Sequence, residues 1–81
     1  MNQPTKCEIT RKIELVLEKK ISREEVGEWA LNFIRNDKSI YIEDIDAWHY
    51  LVTVSNIDEM IGPGEYLFSE EDIQDMMSEH I

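Results

Sequence analysis

Nucleophilic catalysis asks for a cysteine or serine beside a base that a third group orients, and the chain offers one cysteine and two histidines. Cys7 adjoins Glu8, whose negative charge does not favour a thiolate, so it reads as a partly buried small residue. His49 and His80 fall on different segments with no catalytic spacing, and His49 follows the core-type Trp48. Paired carboxylates can do acid and base work, but eighteen acids in 81 residues produce pairs by chance. A calcium loop fails on spacing: Asp44-Ile45-Asp46 is followed by Ala47, Trp48 and His49 rather than by a third oxygen ligand and a turn glycine. A single cysteine allows neither an intrachain disulfide nor a thiolate zinc site. The expectation is a protein that is not an enzyme, holds no cofactor or metal, and works by binding.

Charge carries most of the remaining information. Eight basic and eighteen acidic residues give a formal net charge of -10, and the division along the chain is uneven. Every Lys and Arg lies within the first 38 residues, while residues 41–81 hold eleven carboxylates and no Lys or Arg. Such a field repels phosphate and attracts basic proteins, which predicts a basic protein partner and no direct nucleic-acid or membrane contact. Among the aromatics, Trp29 and Trp48 fall on apolar stripes and read as core, whereas Tyr66, between Glu65 and Leu67, is the candidate exposed anchor.

The elements that would carry these residues are mainly helical. Thr5 with Glu8, and Ser22 with Glu25, are capping pairs that predict helices over about 6–20 and from 22 to about 36–38. Ile9, Ile13, Val16, Leu17 and Ile21, then Val26, Trp29, Ala30, Phe33 and Ile34, recur at helical spacing and mark the core faces. Glu43, Asp44 and Asp46 crowd the start of a third helix through Leu51 and Val52, with a short strand at LVTV as the competitor. Gly62-Pro63-Gly64 predicts a loop, and Ser69 with Asp72 caps a final helix carrying Ile73, Met76 and Met77. The expected fold is therefore all-α: one domain over 1–81, a bundle of about four helices with a Gly-Pro-Gly loop before the last, and residues 1–5 flexible. No apolar run is long enough to span a bilayer and MNQPTKCEIT lacks the order of a secretion signal, which predicts a cytoplasmic location.

The segments SREEVGEWALNFI, DIDAWHYL and GEYLFSEEDIQDMM together resemble small acidic bacterial proteins suspected to be immunity proteins of toxin systems. The likeness spans residues 22–77 and rests on Arg23 to Val26, Trp29-Ala30, Trp48 and Gly64 to Leu67. Most of these are core and cap positions, so the resemblance implies fold rather than activity and transfers no functional residue. Joined to the charge pattern, it gives the expectation of an immunity or inhibitor protein that neutralises a basic toxin domain, a nuclease fitting best. The expected interface is Asp44, Asp46, Asp58, Glu59, Glu65, Tyr66, Glu70, Glu71 and Asp75. The rival reading is an accessory protein-protein interaction or regulatory domain unrelated to toxins. A minimal enzyme or calcium module is a third.

Overall fold

Two capping boxes start the fold. Thr5 Oγ1 accepts from the Glu8 amide at 3.1 Å and opens α1 (Lys6–Leu17). Ser22 Oγ accepts from the Glu25 amide at 3.1 Å and opens α2 (Arg23–Arg35). In each, the glutamate reaches back to the cap, so orphan donors of the first turn are satisfied reciprocally. In the computed structural model, which describes residues 2–80, a single 3-10 turn (Asp37–Ser39) leads to α3 (Ile45–Val54). The strands β1 (Met60–Gly62) and β2 (Glu65–Tyr66) and then α4 (Glu70–His80) complete the order. Residues 51–54 are helical, because Leu51 and Val54 face the core together at helical spacing and outweigh the β preference of the valines.

α1 touches α2, α3 and α4, while α3 packs on both α2 and α4. Ile9 and Ile13, Val26 and Ala30, Tyr50, Leu51 and Val54, Ile57, and Ile73 and Met76 meet in one core. Burying each large side chain contributes on the order of 1.5–3 kcal/mol. Tyr50 is the largest fully buried side chain, and its hydroxyl is satisfied by Thr10 Oγ1 at 2.9 Å. Burial pushes its phenol pKa above the ordinary value.

The all-α expectation is corrected: the fold is α+β, with a two-stranded antiparallel sheet between α3 and α4. Gly62-Pro63-Gly64 is not the free loop expected before the last helix. Gly62 ends β1, Pro63 and Gly64 make the turn, and Glu65 begins β2. Proline followed by a glycine at φ 72° matches a type II turn, which splays flanking strands. The register accommodates this through an irregularity between Met60 and Gly62, with Ile61 the extra residue between the pairs Met60–Tyr66 and Gly62–Glu65.

At the amino end, where flexibility is expected, Asn2 bridges Tyr41 in parallel, and the Gln3 side-chain oxygen accepts from the amides of Glu43 and Asp44 at 2.7 and 2.9 Å. Among the described residues no helix is long and apolar enough to cross a membrane.

Candidate functional site

The nine positions expected to form one docking face lie in three places. Asp44 caps α3, accepting from the Ala47 amide at 3.1 Å. Asp46 is paired with Lys6 and stands 3.5 Å from His80 Nδ1, whose ring stacks on Tyr50 at 4.5 Å. The Lys6 contact holds the Asp46 carboxyl below the ordinary carboxylate range and raises the Lys6 ammonium in return. This cluster joins α1, α3 and α4 and pairs, at the surface, a carboxylate that the sequence offered to a partner.

The second place is where the hairpin meets the start of α2. Arg23 lies 4.2 Å from the Tyr66 ring centroid and donates to the carbonyls of Phe68 and Ile57. The Tyr66 hydroxyl donates to Glu24 at 2.7 Å, which lowers the Glu24 carboxyl and raises the Tyr66 phenol. Tyr66 is thus half-buried on an arginine and serves as a clasp rather than standing free. Asp58 belongs to the same corner: a Cβ on Gly27 would stand 2.8 Å from its carboxylate, so α2 has glycine where the Asp58 side chain crosses it. Glu59 and Glu65 are exposed on the hairpin, and Glu70 and Glu71 occupy the first turn of α4. In the third place, Asp75 lines an open groove between α3 and α4 with Asp72 and Glu79.

The surface that sequence reasoning passed over is α1 and its terminal turn. Residues 6–20 carry five cations against three carboxylates, whereas α2 carries two against three and α4 has no Lys or Arg against five acids. α1 ends in a Schellman turn: the Lys20 amide donates to the Leu15 carbonyl at 2.9 Å and the Lys19 amide to that of Val16 at 3.0 Å. Lys19 occupies the left-handed position that glycine normally fills, at φ 62°. Arg11 and Lys20 both approach Glu18, at 3.9 and 3.7 Å. Lys12 and Lys19 make no ion pair among the described residues, and Lys12 Nζ sits 5.2 Å from the Trp29 ring centroid. Trp29, expected in the core, is only half-buried: one edge meets Phe33 in a T-shaped contact at 5.4 Å and the residue lines the grooves on either side of it. The sequence signal for this surface is the recurrence of Arg11-Lys12 as Lys19-Lys20, about two helical turns on. The weight given to the acidic second half concealed it.

A family model described as "YxzC DNA-binding protein" matches residues 2–80. The chain is 30% identical over 80 residues to the uncharacterized protein YxzC of Bacillus subtilis (strain 168), an alignment covering 99% of this chain and 65% of that protein. It therefore spans just under two thirds of the relative's length. No solved structure matches it. These findings overturn the likeness to toxin-immunity proteins and, with it, the expectation of an inhibitor that neutralises a toxin domain. They also overturn the exclusion of direct nucleic-acid contact. That exclusion extended the field of the acidic second half to every face, although charge acts on a ligand locally, over about a Debye length.

Proposed function

The chain belongs to the YxzC family, and from that membership we propose that it is a DNA-associated regulatory protein of the cytoplasm, binding nucleic acid through α1 and the turn that follows it. It is a binding protein and not an enzyme. Its contacts to phosphate are made by Arg11, Lys12, Lys19 and Lys20, the last two at the rim of a groove that Glu24, Glu25 and Glu70 also line. The observation that carries the reading is the charge of residues 6–20, with an excess of cations in a chain of net charge -10. The left-handed Lys19 supports it as well, since a lysine there costs about 1–2 kcal/mol of backbone strain that glycine would avoid. A costly side chain in a sparsely populated conformation is the kind of feature found at binding sites.

The test is fluorescence anisotropy of labelled DNA at low ionic strength. Binding is expected to weaken with salt at a log-log slope of about -3 to -4, the value for roughly four phosphates neutralised. Lys19→Glu combined with Lys20→Glu is expected to reduce affinity at least about tenfold, each reversal replacing an attraction by a repulsion. Absence of binding to any DNA at low salt would remove the reading.

A further inference from the structure

Resting on that reading, the geometry points to single-stranded DNA as the ligand, with an unstacked base lodged against Trp29 in the groove between α1 and α2. The groove has a volume of about 550 Å³ and is lined by Cys7, Glu8, Arg11, Lys12, Leu15 and Trp29. It joins an indole and a leucine to two cations, the combination by which proteins hold single strands: phosphate on the basic side chains, base on the aromatic. Both cations are available. Lys12 has no carboxylate partner among the described residues, and Arg11 has one distant contact, with Glu18 at 3.9 Å. The one acid in the groove, Glu8, turns Oε1 back to the helix cap, accepting from the Thr5 amide at 3.4 Å and from its hydroxyl at 3.3 Å, and its single charge is outnumbered by the two cations.

The Lys12 ammonium near the indole marks where the ligand's two parts divide. A cation over an aromatic ring is held by the ring's quadrupole, and a phosphate drawing Lys12 outward frees that face for a base. Arg11 and Lys12 lie two helical turns, about 11 Å, from Lys19 and Lys20. A strand laid along α1 therefore meets Arg11 and Lys12 beside an aromatic at one end of a short span and, at the other, Lys19 and Lys20 on a groove shared with Glu24, Glu25 and Glu70.

Duplex DNA is a poor fit to the remaining surfaces. Reading a duplex requires an element that enters a groove between two rows of phosphate. The first turns of α2, α3 and α4 carry Glu24 and Glu25, Asp46, and Glu70, Glu71 and Asp72, and the hairpin carries Glu65. Each would set carboxylates against phosphates. In duplex DNA the base faces are also stacked on one another and closed to Trp29.

The experiment uses the full chain with Trp48→Phe, so that Trp29 is the only tryptophan, titrated at low salt with a ten-nucleotide oligothymidylate and with a duplex of equal length. Expected are quenching of Trp29 emission by the single strand and affinity at least about tenfold above that for the duplex. Trp29→Leu is expected to lower single-strand affinity about fivefold or more, the loss associated with one stacked base. Because Trp29 also packs on Phe33, Lys12→Gln supplies a second variant with the same expected direction. Duplex binding equal to or tighter than single-strand binding overturns this inference and leaves the proposed function standing. So does single-strand binding with Trp29 emission unchanged and affinity intact in both variants. Failure of both nucleic acids to bind overturns both readings.

Discussion

Lys19 bears two opposed consequences at a single residue. Its left-handed backbone costs about 1–2 kcal/mol relative to glycine. Lys19→Gly is therefore expected to raise the thermal midpoint by roughly 4–8 °C per kcal/mol recovered in a domain of this size, while weakening DNA binding through loss of the charge. A melting curve beside a binding titration checks both, and a variant that neither gains stability nor loses affinity would deny Lys19 its role. Arg23 behaves differently, because its guanidinium holds two carbonyls and a tyrosine ring. Arg23→Met keeps the apolar stem but leaves the Phe68 and Ile57 carbonyls without that donor, and is expected to cost on the order of 1.5–3 kcal/mol in denaturant unfolding. The ion pair of Asp46 with Lys6 has a defined pH window. The Asp46 carboxyl is depressed by Lys6, so its contribution is present above the ordinary carboxylate range and is lost as pH falls through the lowered value. The Lys6 ammonium is raised by Asp46, so its contribution is present below its ordinary value and is lost as pH rises through the raised one. Wild type and Asp46→Asn are therefore expected to differ in thermal midpoint across neutral pH and to converge below about pH 4.

Elements meet through one close approach that a double-mutant cycle can resolve. Gly27 lies inside α2, where alanine would be favoured by about 1 kcal/mol, but a Cβ there would stand 2.8 Å from the Asp58 carboxylate. Gly27→Ala alone is expected to be neutral or destabilising. In an Asp58→Ala background the same change is expected to stabilise by about 1 kcal/mol, giving a coupling measurable by urea unfolding. The helices themselves were legible in the residues: Thr5 with Glu8 and Ser22 with Glu25 specify their starts by local hydrogen bonding, and Ile9, Ile13, Val26 and Ala30 specify the buried faces by spacing. The hairpin was not legible, because three- and two-residue strands show no alternation to detect and Gly62-Pro63-Gly64 describes a turn without saying what it joins. Tyr66 was misjudged for a related reason, and Trp29, which packs against the core, is covered less completely than its stripe implied. How far an aromatic is covered depends on which element lies across it, Arg23 for the first and α1 for the second.

For the whole molecule, size against screening length explains how an acidic protein can present a basic edge. The extents are 36 × 24 × 20 Å, whereas charges at physiological salt act over about 8 Å, so a ligand at α1 responds chiefly to residues 6–20. The overall charge still matters for stability through self-repulsion. Raising salt from low to physiological is expected to raise the thermal midpoint of the free protein while lowering its affinity for DNA, two trends of opposite sign in one buffer series. The amino-acid sequence by itself determined the helices, their caps, the core stripes and the segregation of cations into the first 38 residues, because each depends on neighbours within a turn or on simple order along the chain. Only the tertiary structure decided which charges are paired across elements and which are left without such a partner. Lys6 is spent on Asp46 and Arg23 on the hairpin, while Arg11, Lys12, Lys19 and Lys20 stay at the surface. Such pairings join groups some forty residues apart, and no local rule of spacing contains them.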